Sequence, residues 1–159
     1  MQHDKQTHDM GNKMYLKFAL MILLSFIAMY VLMYAMVDKL SNVFPNVNQL
    51  YMAGLMTMPM VILELIIMGG MYMKKKLNIA IIVVGCILAV SFYMGIRELV
   101  GVGDRQFLRS MIPHHAAAIL MVEKASLTDP EIKKLAQDII SAQEKEIAQM
   151  KAKLNEIKK

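Results

Sequence analysis

Two adjacent imidazoles among thioethers, in Met111-Ile112-Pro113-His114-His115 with Met121 further on, are the side chains of this sequence best suited to chemistry. On a helix turning about 100° per residue, His114, His115 and Met121 fall within about 80° of Met111, so all four share one broad face. Pro113 removes a backbone donor and is expected to kink or tighten the helix there, which would turn the imidazoles toward a shared point. Imidazole mixed with thioether favours Cu(I), with Ag(I) and Cu(II) also suited. Mg and Ca want oxygen, and structural Zn usually takes thiolates. Adjacent histidines on a solvated helix face, or at a cap, are the competing explanation.

The elements that must position these groups follow from the flanking pattern. Gly101-Val102-Gly103 breaks the preceding helix, and Asp104 is expected to cap a helix from about Arg105 to Ser126. Leu127 to Pro130 reads as the turn, where either Thr128-x-x-Glu131 as a capping box or Asp129 with proline at the first helical position starts a second helix. That helix carries Ile132, Leu135, Ala136, Ile139, Gln143, Ile147, Met150 and Leu154 at three-to-four spacing and runs nearly to the end. Gln143, Glu146 and Met150 form a polar and soft strip on it, opposite the His pair only if the register puts the middle of the first helix against the second helix's C-terminal half. Two helices alone bury little core, so a homodimer or higher oligomer that completes four helices is expected.

The remainder is a membrane anchor. With 57% hydrophobic residues in 159, the apolar excess lies before position 97, and the alternating charge lies after it. Phe18 to Val37, Leu50 to Met73 and Leu77 to Ile96 read as three spans. A cleaved signal peptide would need a small-x-small site, and Tyr34-Ala35-Met36-Val37-Asp38 is a poor one. The tight Lys74-Lys75-Lys76 loop sets a cytoplasmic N-terminus with Lys5, Lys13 and Lys17, an outer loop from Asp38 to Gln49, and an extracytoplasmic tail from Arg97. Arg97, Arg105 and Arg109 pull mildly the other way, although Glu98 and Asp104 lie among them.

The net charge of +5 does not imply nucleic acid: from Arg97 onward eleven Lys and Arg face nine Asp and Glu, and no basic stripe with interleaved aromatics is visible. Cys86, the single cysteine, reads as a buried small hydrophobe. Eighteen methionines include a ridge Met52, Met56, Met60, Glu64, Met68 and a shorter one Met29, Met33, Met36, which suggest either adaptable packing or a soft-metal path. Glu64 reads as a mid-membrane carboxyl, either functional or protonated and bonded to Thr57 or Ser25. Met1-Gln2-His3, with His8, Met10 and Met14, is a weaker Cu(II) candidate in a tail whose bland reading is disorder.

Phe107 to His115, Ala118-Ile119, Asp129-Pro130 and the run from Leu135-Ala136 through Gln143, Glu146 and Met150 resemble the bacterial domain-of-unknown-function family 305 over nearly all of the chain from Asp104. Tyr51-Met52-Ala53-Gly54-Leu55-Met56 is similar to its membrane-anchored branch. The resemblance implies a ferritin-like helical bundle and an association with copper. Its Met-x-x-His-His motif falls on Met111, His114 and His115, and its later Gln-x-x-Glu-x-x-x-Met on Gln143, Glu146 and Met150. Met121 comes one position later than the family's following methionine. The implied ligand set is Met111, His114, His115, Met121, Glu146 and Met150.

The expectation is therefore an all-α protein with a cytoplasmic tail (1–17), a three-helix transmembrane domain (18–96) and an extracytoplasmic helical hairpin (97–159) in a bacterial inner membrane. It would capture or buffer copper, or confer resistance to it, in contact with membrane lipid and with no nucleic-acid partner, passing the ion to a metal exporter or chaperone. The alternatives are an interaction module with structural histidines and a metal-transporter subunit using Glu64 and the Met ridge. No paired Glu-x-x-His, triad or phosphate-cradling loop occurs, so no enzyme activity is expected.

Overall fold

The structure, a computed structural model, describes the backbone of residues 2–157 and the side chains of residues 13–157. Met1, Gln2, His3, His8 and Met10, raised above as ligands, fall outside the described side chains. Among the described residues every regular element is helical: α1 (Gln2–Leu32), α2 (Val47–Ile67), α3 (Lys75–Arg97), α4 (Asp104–Lys124) and α5 (Pro130–Glu156). Two short 3-10 turns, Met33–Met36 and Leu40–Asn42, lie between α1 and α2. The chain divides into two compact units, Met1–Val31 with Leu50–Val100, and Leu32–Gln49 with Gly101–Lys159.

The first unit holds the apolar helices. Lys13–Met36, Val47–Ile67 and Lys75–Arg97 are 24, 21 and 23 residues long and apolar enough to cross a membrane, each reaching roughly 30 Å at about 1.5 Å per residue. Their outward faces carry Leu20, Leu24, Val83, Ile87 and Val90 more than 50% exposed, a surface suited to lipid. Small residues bring α2 and α3 together: a Cβ on Gly54 would meet the Phe92 ring at 2.6 Å, and one on Gly95 would meet Tyr51 at 3.1 Å. Thr57, buried beside them, donates to the Ala53 carbonyl at 2.8 Å, which satisfies its hydroxyl within its own helix.

The structure departs from the expectations for this unit at α2, Glu64 and Cys86. α2 ends at Ile67, short of Met73, because Gly69-Gly70 follow in a turn where a Cβ on Gly69 would lie 2.5 Å from the Leu65 carbonyl oxygen. Glu64 is consequently one turn from the helix end, and it accepts from Tyr72 Oη at 3.1 Å; its partner is neither Thr57 nor Ser25. Met52, Met56, Met60 and Met68 are all exposed and line the outside of the unit, while Met58 is the methionine of α2 in its core. Cys86 is exposed on α3, where it was expected to be buried.

The second unit is an antiparallel hairpin of α4 and α5 with a cover. Ile112, Ala116, Ile119, Ile147 and Leu154 form its core, and Val37, Phe44, Leu108 and Met150 pack against it. Val37 and Phe44 belong to the segment after the first span, so the loop from Asp38 to Gln49 and the tail from Gly101 are one body and must share one side of any membrane. Asp38 orders that segment: its Oδ1 accepts from the Lys39 amide at 2.7 Å and from Asn42 Nδ2 at 2.6 Å.

Gly103 occupies the cap position of α4 without a side-chain bond, and Asp104 is the first helical residue. The helix runs through Pro113 unbroken. At α5 the alternative caps resolve to Asp129, whose Oδ1 accepts from the amides of Glu131 (2.8 Å) and Ile132 (3.0 Å), with Pro130 at the first turn. Asp129→Ala is expected to cost about 1 kcal/mol, measured as a lower Tm followed by circular dichroism, whereas Thr128→Ala should leave Tm unchanged.

Candidate metal centre

The register between α4 and α5 decides which candidate ligands meet. His115 Nε2 lies 2.7 Å from Glu146 Oε2, and this contact sets α4 and α5 level at those two residues. In antiparallel helices Met111, one turn before His115, is then level with Met150, one turn after Glu146. Both methionines are half-buried, and Met150 packs on the hairpin core. Met111, His115, Glu146 and Met150 therefore occupy the corners of a single patch spanning the two helices. Gln143, on the same strip of α5, has a buried Oε1 with no hydrogen-bond partner.

The histidine is pre-oriented. Its Nδ1 lies 2.9 Å from the Met111 carbonyl oxygen, which can only accept, so Nδ1 carries hydrogen and Nε2 is directed at the Glu146 carboxyl group. This is the outer-sphere device that fixes a ligating imidazole, a backbone carbonyl on one nitrogen leaving the other for the ion. A cation bound between Nε2 and Oε2 would take the place of any hydrogen there. The His115 side chain is 11% exposed and that of Glu146 is 53% exposed, so the contact is sealed on the imidazole side and open to solvent on the carboxylate side.

His114 and Met121 are not brought to this patch. Successive helical residues diverge by about 100°, and α5 lies on the side of α4 that buries Ile112, His115, Ala116 and Ile119. His114 is exposed, with its ring centroid 6.1 Å from that of His115 and the planes at 63°. Met121 is 62% exposed. It lies seven residues after His114, which puts the two on one outer stripe with Phe107, seven residues earlier.

Among the described residues no three His, Cys, Asp or Glu side chains gather to hold a metal ion. Beyond His115 and Glu146 the neighbouring donors are the Met111 and Met150 sulfurs, the Gln143 amide oxygen and water from the open side; an ion that took up the sulfurs would be a soft or borderline cation.

Residues 97–156, the hairpin with its approach, match the family described as Domain of unknown function (DUF305). An uncharacterized protein of Acanthamoeba polyphaga mimivirus is 34% identical over 152 residues, which cover 94% of this chain and 96% of the relative. That coverage takes in the apolar helices as well as the hairpin. The relative is viral, so it lends no support to the bacterial origin expected above. No solved structure matches the chain. By its hairpin motif, and with a relative similar along nearly its whole length, this chain belongs to the DUF305 family.

Proposed function

We propose that this chain is a membrane-anchored, non-catalytic copper-binding protein, whose hairpin holds the ion at Met111, His115, Glu146 and Met150 for capture, buffering or transfer to an exporter or chaperone. The observation that carries the reading is the His115–Glu146 contact at 2.7 Å, with Nδ1 tied back to the Met111 carbonyl and a methionine one turn away on each helix. Cu(I) is the preferred ion because two of the four donors are thioethers; Ag(I) should follow it, and Cu(II) would lean on the imidazole and carboxylate.

His114, Met121 and Phe107 favour a second role. They form an exposed stripe on α4, and Ile132 and Leu135 are exposed on α5. Pairing of two hairpins through these residues would complete a ferritin-like four-helix bundle, and docking of another protein is the alternative use of the same stripe. In either case His114 acts at an interface, apart from the ion.

The test is metal titration of the full chain purified in mild detergent. Cu(I) should compete with a chromogenic chelator at a stoichiometry of one ion per chain, Ag(I) should displace it, and Mg and Ca should not. Protein from copper-supplemented cells that carries no copper on elemental analysis, and no Cu(I) binding in the titration, would refute the proposal.

A further inference from the structure

The geometry points to a binding site for an anionic phospholipid at the end of the first unit that carries its lysines, an inference that rests on reading α1, α2 and α3 as membrane spans. A cavity of about 440 Å³ lies between α1 and the turn that follows α2, lined by Met14, Lys17, Phe18 and Met21 from the helix and by Met71 and Tyr72 from the turn. Five of its six lining residues offer hydrocarbon, thioether or aromatic surface, and the sixth is a cation. That pairing of an apolar wall with one charge suits an acyl chain entering beneath a phosphate.

The wall is firmly built. Tyr15 Oη donates to Asn78 Oδ1 at 2.6 Å and accepts from the Lys74 amide at 3.2 Å, so α1 is fastened to the start of α3. Asn78 Nδ2 donates to the Tyr72 carbonyl at 3.0 Å, and the Tyr72 ring lies 5.2 Å from Phe18 and 5.5 Å from Tyr15. Tyr72 Oη reaches back to Glu64 at 3.1 Å, and burial, followed by that carboxyl group, holds the phenol above its usual range. Tyrosines are the residues expected at the headgroup level of a bilayer, so the cavity opens at the depth where phosphate and acyl chain meet.

Charge singles out the occupant. Lys17 lines the cavity, Lys13 is one turn before it on α1, and Lys74, Lys75 and Lys76 directly follow the turn that forms the opposite wall, with Lys74 Nζ 5.9 Å from the Tyr15 ring centroid. Glu64, a carboxyl group near this wall among the described residues, is engaged by Tyr72. A zwitterionic lipid would bring a second cation to a site already surrounded by lysines, whereas phosphatidylglycerol or a similar anionic lipid brings net negative charge.

The full chain would be reconstituted into nanodiscs of phosphatidylcholine containing phosphatidylglycerol and released into mild detergent, and retained lipids would be identified by native mass spectrometry. Wild type is expected to retain phosphatidylglycerol preferentially. Lys17→Gln should weaken that preference about fivefold, the effect of one lysine at an anionic surface. Met21→Trp, which fills the groove and keeps every charge, should lower it as well. An unchanged preference in both variants, or loss of the lipid to inorganic phosphate at the same occupancy, would overturn the site. Extraction of the chain from membranes by alkaline carbonate would instead refute the spans themselves, and the two failures are separable.

Discussion

His115→Ala is expected to lower Cu(I) affinity at least about 100-fold, whereas His114→Ala should stay within about threefold of wild type. The asymmetry follows from the hairpin. His115 is held at both nitrogens, by the Met111 carbonyl at 2.9 Å and the Glu146 carboxyl at 2.7 Å, while His114 is exposed on the outer stripe. Alanine at 115 removes one ligand and the group that orients the other. Glu146 is half-exposed and can be rehydrated, so the accompanying loss of stability should be only about 1 kcal/mol, and the hairpin remains folded. Met150→Leu preserves volume and hydrophobicity and so isolates the sulfur; it should weaken Cu(I) about tenfold or more and leave Tm unchanged. Competition titrations with a Cu(I) chelator, paired with thermal melts, measure all three. Equal losses for His114→Ala and His115→Ala would mean that the two imidazoles share the ion after all, against the register of α4 and α5.

The contrast between the two histidines also marks how far the residues could be read without coordinates. Apolar runs long enough to span a bilayer are legible because length and the absence of charge suffice. The Asp129-Pro130 start of α5 is legible because capping chemistry is local. The side of α4 that turns inward depends on where α5 lies, and a broad helical face that includes both His114 and His115 cannot rank them. The run of buried residues at 112, 116 and 119 could have done so: at about 100° per residue its mean direction lies roughly 70° from His115 and nearly opposite the stripe of 107, 114 and 121, with Met111 between the two. The cover from Val37 and Phe44 left no such trace, since Val37 reads as the end of the first apolar span and Phe44 sits in a short connection without periodicity. Glu64 was misplaced in depth because an apolar run continues from Ile67 through Met73, and only Gly69-Gly70 announces that the helix has stopped.

In the apolar unit the largest effect is expected from Gly54→Leu, which should destabilise by about 3 kcal/mol or more and greatly reduce folded yield in detergent. Even the first added carbon would lie 2.6 Å from two atoms of the Phe92 ring, inside any real contact distance, and the flanking Ala53 and Thr57 are 0% and 1% exposed. A phenyl ring has few rotamers to offer, and Tyr51, with its centroid 6.5 Å from that of Phe92, limits where it can go. The helices must therefore separate, which strips contact from α2 and α3 along their length. Gly85 provides the comparison within the same unit. A Cβ there would stand 3.3 Å from Ile62 Cγ1, an aliphatic branch able to shift by a few tenths of an ångström, and alanine brings a helix-propensity gain of up to about 1 kcal/mol. Gly85→Ala should consequently be neutral or slightly stabilising. Thermal unfolding in one detergent ranks the two, and Phe92→Ala placed behind Gly54→Ala should recover part of the loss if the ring is the obstacle. Failure of that double variant to recover would place the need for glycine in the backbone of α2, independent of its packing against α3.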